Sequence, residues 1–345
     1  MGVQKKHTGT HSSETEARKD SHLELALNSQ NQNIDNRFYY EPLLAAHPTK
    51  TEDWPIKIGD KSLRYPIWIS SMTGGTSKTN EINKRLARSA HKFGLGMGIG
   101  SARIALEQRE KIRDFDLRSI LGEEAPFYLN FGIAQIESHI QTNSLEAIRS
   151  LTDRLQADGI IIHVNPLQEW MQPEGDYISR TPIATIKDFL EKCDIPLIVK
   201  EVGQGFGYQS MKELLQLPLA AIEFAANGGT NFAKLELFRN KSKSEHLMPL
   251  VYIGHTADEM VDLSNSLANE LGNKIKCPTI IISGGIKNFL DGYYYIKKSK
   301  INALYGQASE FLKRAKQSQK ALDEYIRYQV EGLQLARTFL TLKTK

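Results

Sequence analysis

Short apolar runs rich in isoleucine and valine recur along the chain at 66–71, 94–100, 127–132, 159–164, 196–202, 221–226, 279–283 and 302–305. None alternates with polar residues, and strands without alternation are strands buried on both faces. The segments between the runs carry helical period instead. Over 79–93, Ile82, Leu86, Ala90 and Phe93 line one face, and Gly94 stands where a helix should stop. Residues 320–342 predict a terminal helix with Leu322, Ile326, Val330, Leu333 and Ala336 on one side. A ninth apolar run, 251–254, falls inside the long stretch 227–271 and is read as part of an elaborated loop before the sixth helix. Eight buried strands separated by helices predict an α/β fold: a single (β/α)8 TIM barrel with an N-terminal extension and a C-terminal helix. A doubly wound open sheet is the alternative topology.

Composition changes this picture little. Residues 1–16, rich in Ser, Thr, Lys, His and Glu, predict a disordered tail, and 17–345 one barrel domain. The net charge of +4 arises from 44 basic and 40 acidic residues. That near-balance argues against nucleic acid as a partner and points to anionic small molecules. No run approaches the roughly 18 apolar residues a membrane helix needs, and the N-terminus lacks a signal-peptide core. Cys193 and Cys277, the only cysteines, belong to no metal or redox motif. The expectation is a soluble cytoplasmic protein with reduced thiols.

The chemistry collects where a barrel keeps its active site, just after each buried run. Ser71-Met72-Thr73-Gly74-Gly75-Thr76 follows the first run, and Ser101-Ala102-Arg103 the second. Asn130 ends the third, and His163, Asn165, Gln168 and Glu169 follow the fourth. Lys200 closes the fifth, Gly228-Gly229-Thr230 follows the sixth, Ser283-Gly284-Gly285 the seventh, and Gly306-Gln307-Ala308-Ser309 the eighth. The glycines either turn strands into helices or let backbone N–H groups approach a phosphate. Lys200 is either paired with a glutamate inside the barrel or faces a cofactor or substrate. Glu169, with Glu174 as a second candidate, suits Mg²⁺, which takes one or two protein carboxylates beside waters and phosphates. Arg18, Lys19 and His22 are either a solvated charge run or donors for a diphosphate.

The ordered motifs resemble type 2 isopentenyl-diphosphate isomerases. They are Arg18-Lys19-Asp20-Ser21-His22, Ser71-Met72-Thr73-Gly74-Gly75, Gly100-Ser101, Asn130-Phe131-Gly132, His163 to Glu169, Gln172 to Asp176, Val199 to Gly203, Gly228 to Thr230 and Ser283 to Gly285. The likeness runs from about residue 17 to about 340. It implies an FMN barrel that interconverts isopentenyl and dimethylallyl diphosphate with the flavin reduced by NADPH. The implied FMN contacts are Ser71, Met72, Thr73, Ser101, Asn130, Lys200, Thr230, Gly284, Gly285, Ala308 and Ser309. The diphosphate contacts would be Arg18, Lys19, Ser101, Ala102, Arg103, His163 and Asn165, with Gln168 beside the reacting carbons and Glu169 on Mg²⁺. A homotetramer or larger homo-oligomer is implied, and the basic N-terminal segment is expected to close as a lid. Two positions depart from the pattern. Ala102 stands where the family commonly has Gln, and Glu310 faces the expected phosphate site. An FMN-dependent 2-hydroxy-acid dehydrogenase or oxidase, and a non-catalytic flavin- or phosphate-binding barrel, are the alternatives. The former needs a His base and Arg clamps that 283–287 does not supply.

Overall fold

The computed structural model describes residues 10–30, 33–49, 52–72, 77–240 and 246–343. All eight apolar runs are strands, numbered β1 to β8 here: Ile67–Ile69, Gly96–Ser101, Phe127–Gly132, Gly159–His163, Leu197–Lys200, Ala221–Glu223, Thr279–Ser283 and Asn302–Gln307. They close in chain order into a parallel barrel, β8 pairing with β1 through Tyr305↔Ile67 and Gln307↔Ile69. The open-sheet alternative is thereby excluded. The run at 251–254 forms no barrel strand; a 3-10 turn, Met248–Tyr252, occupies its start.

Side chains of a strand point alternately inward and outward. The outward set, among them Ile67, Leu129, Ile160, Val199 and Ile282, joins the helices in one large core. Inside the barrel the lower rung is wholly apolar: Trp68, Tyr128, Ile161, Ile198, Ala221, Ile281 and Leu304. Ile56, Ile58 and Leu63 pack beneath it from a short antiparallel ribbon, Ile56–Ile58 with Lys61–Leu63, which plugs the amino-terminal mouth. One inward step higher, every position is polar or glycine: Ser70, Asn130, His163, Lys200, Glu223, Ser283 and Gly306. The barrel thus has a dry floor and a polar upper ring.

Helix Ser77–Phe93 ends at Gly94, whose φ of +65° matches the expected stop. Helix Gln319–Phe339 buries Leu322, Ile326, Val330, Leu333 and Ala336 and packs mainly against helices Ser77–Phe93, Phe289–Lys298 and Ser309–Gln317. Two features were not expected. Leu340–Leu342 pairs with Phe38–Tyr40 rather than continuing the helix, and the plugging ribbon went unread, although Gly59-Asp60 between alternating apolar residues is a hairpin signal. Helical backbone also runs over Thr10–Ala26, into the stretch expected as tail, while residues 1–9 lie outside the described ones. Glu, Ala, Arg, Lys and Leu favour helix there without supplying an apolar stripe. Cys193 and Cys277 are free and buried. Among the described residues no helix is long and apolar enough to cross a membrane.

Candidate active site

The carboxyl ends of the strands divide into two halves of different construction. The first spans β1 and β5 to β8 and is a cleft of about 570 Å³, open to solvent. Ser71, Met72, Lys200, Thr230, Gly284, Gly285, Ala308 and Ser309 all line it. Thr73 lies outside the described residues. Backbone forms much of the wall. Gly284 has φ +92°, and a Cβ there would fall on the backbone of Ala226. Gly228, at φ +107°, runs against Gly285, whose Cα would lie 3.1 Å from an added Cβ. Helix Ser309–Gln317 opens on the same cleft with no side chain capping its first turn. Its leading N–H groups are therefore available to an anion. Glu310 also lines the cleft, and its carboxylate lies 3.7 Å from Arg314 and 3.9 Å from Lys313.

The cleft's floor holds three buried oxygens without a partner: Ser70 Oγ, Ser71 Oγ and Glu223 Oε2. Buried polar groups are normally satisfied, so partnerless ones clustered under a cleft mark where a polar ligand edge belongs. A flat heteroaromatic ring with a phosphate tail suits this donor set and glycine wall. The FMN expected from the motifs fits.

The second half spans β2 to β4 and is made of side chains. Asn165, 2% exposed, donates through Nδ2 to Glu169 Oε1 at 2.8 Å and to Gln168 Oε1 at 3.2 Å. Glu169 Oε2 accepts the Asp176 N–H at 2.7 Å. Asp176 Oδ2 in turn accepts from Arg103 at 2.6 Å and from Gln135 at 3.0 Å, and Arg103 also bonds Glu107 at 2.9 Å. Asn165 Oδ1 is buried and unsatisfied. Ser101 is exposed and its Oγ accepts from the Arg103 N–H at 3.4 Å. Ala102 is fully enclosed and reaches no surface from which it could touch a ligand with its side chain; its N–H bonds the Asn130 carbonyl.

His163 and Lys200, register partners on β4 and β5, join the halves. His163 Nδ1 is 2.6 Å from Asn130 Oδ1. Facing an amide oxygen, Nδ1 carries the proton and Nε2 is left as an acceptor. Burial, and then the Lys200 charge, push the imidazole down to about 3, so it is neutral in the ligand-free protein. Lys200 Nζ donates to the Glu201 carbonyl at 2.7 Å, and among the described residues no carboxylate forms a salt bridge with it. The glutamate expected as its ion-pair partner is present in the barrel as Glu223 but does not close on it.

Four expected residues, His22 on the exposed N-terminal helix among them, are not brought to either half. Arg18 and Lys19 sit exposed on helix Thr10–Ala26, and Glu174 pairs with Arg239 at 2.6 Å. Among the described residues no group of three or more His, Cys, Asp or Glu could hold a metal. Glu169 therefore stands as a single carboxylate, a sparse set that suits Mg²⁺ completed by water and phosphate oxygens. Glu223 and Asp176 were missed as site residues. Glu223 follows Ala221 by one inward step, where β4 and β5 also turn polar, and that parity could have found it.

No protein-family model matches this chain. The isopentenyl-diphosphate delta-isomerase of Rickettsia prowazekii (strain Madrid E) is 30% identical over 326 residues, which is 92% of this chain and 91% of that one. The chain belongs to the isopentenyl-diphosphate delta-isomerase family. The isopentenyl-diphosphate delta-isomerase of Rickettsia africae (strain ESF-5) is 34% identical over 276 residues, covering 80% of this chain and 77% of that one. This is the family whose ordered motifs the sequence carries. Solved structures share the barrel at low identity. A mandelate oxidase variant with a monooxide FMN adduct superposes with a TM-score of 0.55 and 12% identity over 89% of this chain and 88% of that one. A flavocytochrome b2 variant with benzoylformate gives 0.60 and 9% over 88% and 76%. Those two likenesses are of fold alone.

Proposed function

We propose that this isomerase-family chain converts isopentenyl diphosphate to dimethylallyl diphosphate, with FMN in the glycine-walled cleft, Mg²⁺ at Glu169 and NADPH as the reductant. The observation that carries the reading is the meeting of two chemistries on one rung: partnerless floor oxygens beneath a cleft on one side, an amide–carboxylate cluster on the other. Gly284, Gly285, Ala308 and Ser309 would hold the FMN phosphate. Ser71, Met72, Thr73, Ser101, Asn130, Lys200 and Thr230 would hold its ring and chain. Bound in its reduced form, the flavin supplies the acid–base group that a 1,3-allylic proton shift needs.

The side chains have the remaining roles. Lys200 places a buried cation where it favours an anionic reduced ring. Asn165 fixes Gln168 and Glu169 together, so that Gln168 orients the reacting carbons while Glu169 holds the metal against the diphosphate. Arg103 binds the diphosphate, and for that it leaves Asp176. His163 offers an acceptor in the ligand-free state, so its contact with an anion brings a proton with it: diphosphate binding raises the imidazole's proton affinity. Arg18 and Lys19 complete the anion site when their segment folds over the cleft. Cleavage after Lys19 by trypsin should then slow when diphosphate is added, and equal rates would refute the closure. The enzyme is proposed to act in the cytoplasm as a homotetramer or larger homo-oligomer.

The test pairs the flavin spectrum of the purified protein with turnover of isopentenyl diphosphate in the presence of Mg²⁺. Glu169→Gln should keep the flavin and lose at least about 100-fold in kcat/KM. Undiminished turnover in that variant, or oxidation of a 2-hydroxy acid by the wild type, would overturn the assignment.

A further inference from the structure

The upper ring of the barrel contains a carboxylate for which the isomerisation as set out above has no use. Glu223 is fully enclosed, ends β6 on the floor of the cleft, and is the register partner of Lys200 on β5. Register partners on adjacent parallel strands project to the same side, about 4.8 Å apart at the backbone. Only one of its oxygens is satisfied, by the Ser283 hydroxyl at 3.2 Å, and Ser283 is itself held by the Ala225 N–H at 2.9 Å. The other oxygen has no partner. Lys200 turns its ammonium to the Glu201 carbonyl instead of to this neighbour.

Leaving a buried carboxylate half-satisfied costs stability. A purely structural glutamate would close on the lysine beside it, and a purely structural lysine would close on the glutamate. Here the two groups are kept side by side and apart, both buried in the lining of the cleft. From this we infer that Glu223 is a positioning and electrostatic residue for the cofactor: its charge offsets that of Lys200 beneath the ring and so limits how far the site favours the anionic reduced form. The inference rests on the flavin reading given above. Charges act over several ångströms in a low-dielectric interior, so a Lys200 offset by the Glu201 carboxylate alone would bias the couple further towards reduction.

The experiment is a redox titration of the FMN-loaded protein, wild type against Glu223→Gln, with binding of oxidised FMN measured separately by fluorescence. Glu223→Gln should favour reduced over oxidised flavin about tenfold more than the wild type does, a positive shift of about 30 mV for a two-electron couple. The variant's ligand-free form should melt no lower than the wild type, because an amide in place of a half-satisfied carboxylate relieves a cost. Lys200→Met should shift the potential the opposite way. An unchanged potential in Glu223→Gln, or a shift accompanied by marked destabilisation, would overturn the inference while leaving the flavin reading intact. Failure of the wild type to bind FMN at all would overturn both.

Discussion

The two halves of the carboxyl-end face solve different problems with different parts. Across β1 and β5 to β8 the wall is backbone and glycine, with partnerless oxygens beneath it. Across β2 to β4 it is a chain of hydrogen bonds, mostly between side chains, running from Gln168 through Asn165, Glu169 and Asp176 to Arg103. A backbone wall binds whatever shape it was built around and gives way to nothing. A side-chain network can exchange partners, as the proposed diphosphate at Arg103 and metal at Glu169 would require. The division therefore assigns the resident group to the first half and the transient one to the second.

The largest effect is expected from a methyl group placed in the rigid half. Gly284→Ala adds a Cβ at positive φ against the Ala226 backbone, and should cost about 2–5 kcal/mol in strain and displacement. FMN affinity should drop by about 100-fold or more, read by fluorescence titration. Next comes the network. Asn165→Ala frees Gln168 and Glu169 and should lower kcat/KM about 10–100-fold while FMN affinity holds, as losses of supporting hydrogen bonds around a ligand site do. A matching loss of FMN binding would erase the distinction between the halves.

Smaller effects sharpen the boundary. His163 is held near 3 in the folded protein and titrates near 6.5 when unfolded. Between those values the unfolded chain binds a proton that the folded chain refuses. Stability of the ligand-free protein should therefore fall as pH falls through that window, by at most about 1.4 kcal/mol per pH unit, and His163→Asn should flatten the slope. Diphosphate should weaken the same dependence, because it invites the proton. The smallest effect belongs to Glu310. Its carboxylate sits in the first turn of the helix that opens on the cleft, so Glu310→Gln should tighten FMN about two- to fivefold while costing the helix about 0.3–1 kcal/mol.

Much of this was legible before the fold was known. The eight strands could be read because burial on both faces writes an uninterrupted apolar run, and the glycine turns because they follow those runs directly. Glu223 was harder: it is one letter in an apolar run, and only counting inward positions across several strands sets it beside Lys200 and His163. The ribbon that plugs the barrel is six residues of strand, too short for its alternation to stand out from the loop residues on either side. Arg18 and Lys19 show the opposite limit. Their motif is plain in the sequence, yet their helix is exposed, and nothing in a ligand-free fold pulls them to the site. The contact of Arg103 with Asp176 depends on geometry between the helix after β2 and a loop 73 residues away, which no local pattern encodes.

The most direct test of the account follows labelled isopentenyl diphosphate by NMR in sealed anaerobic samples of the protein with Mg²⁺. One sample contains oxidised FMN and the other FMN reduced by NADPH. Dimethylallyl diphosphate should form in the reduced sample alone, with no net consumption of NADPH beyond the initial reduction. Equal conversion in both samples, or none in the reduced one with the flavin visibly bound, would contradict it.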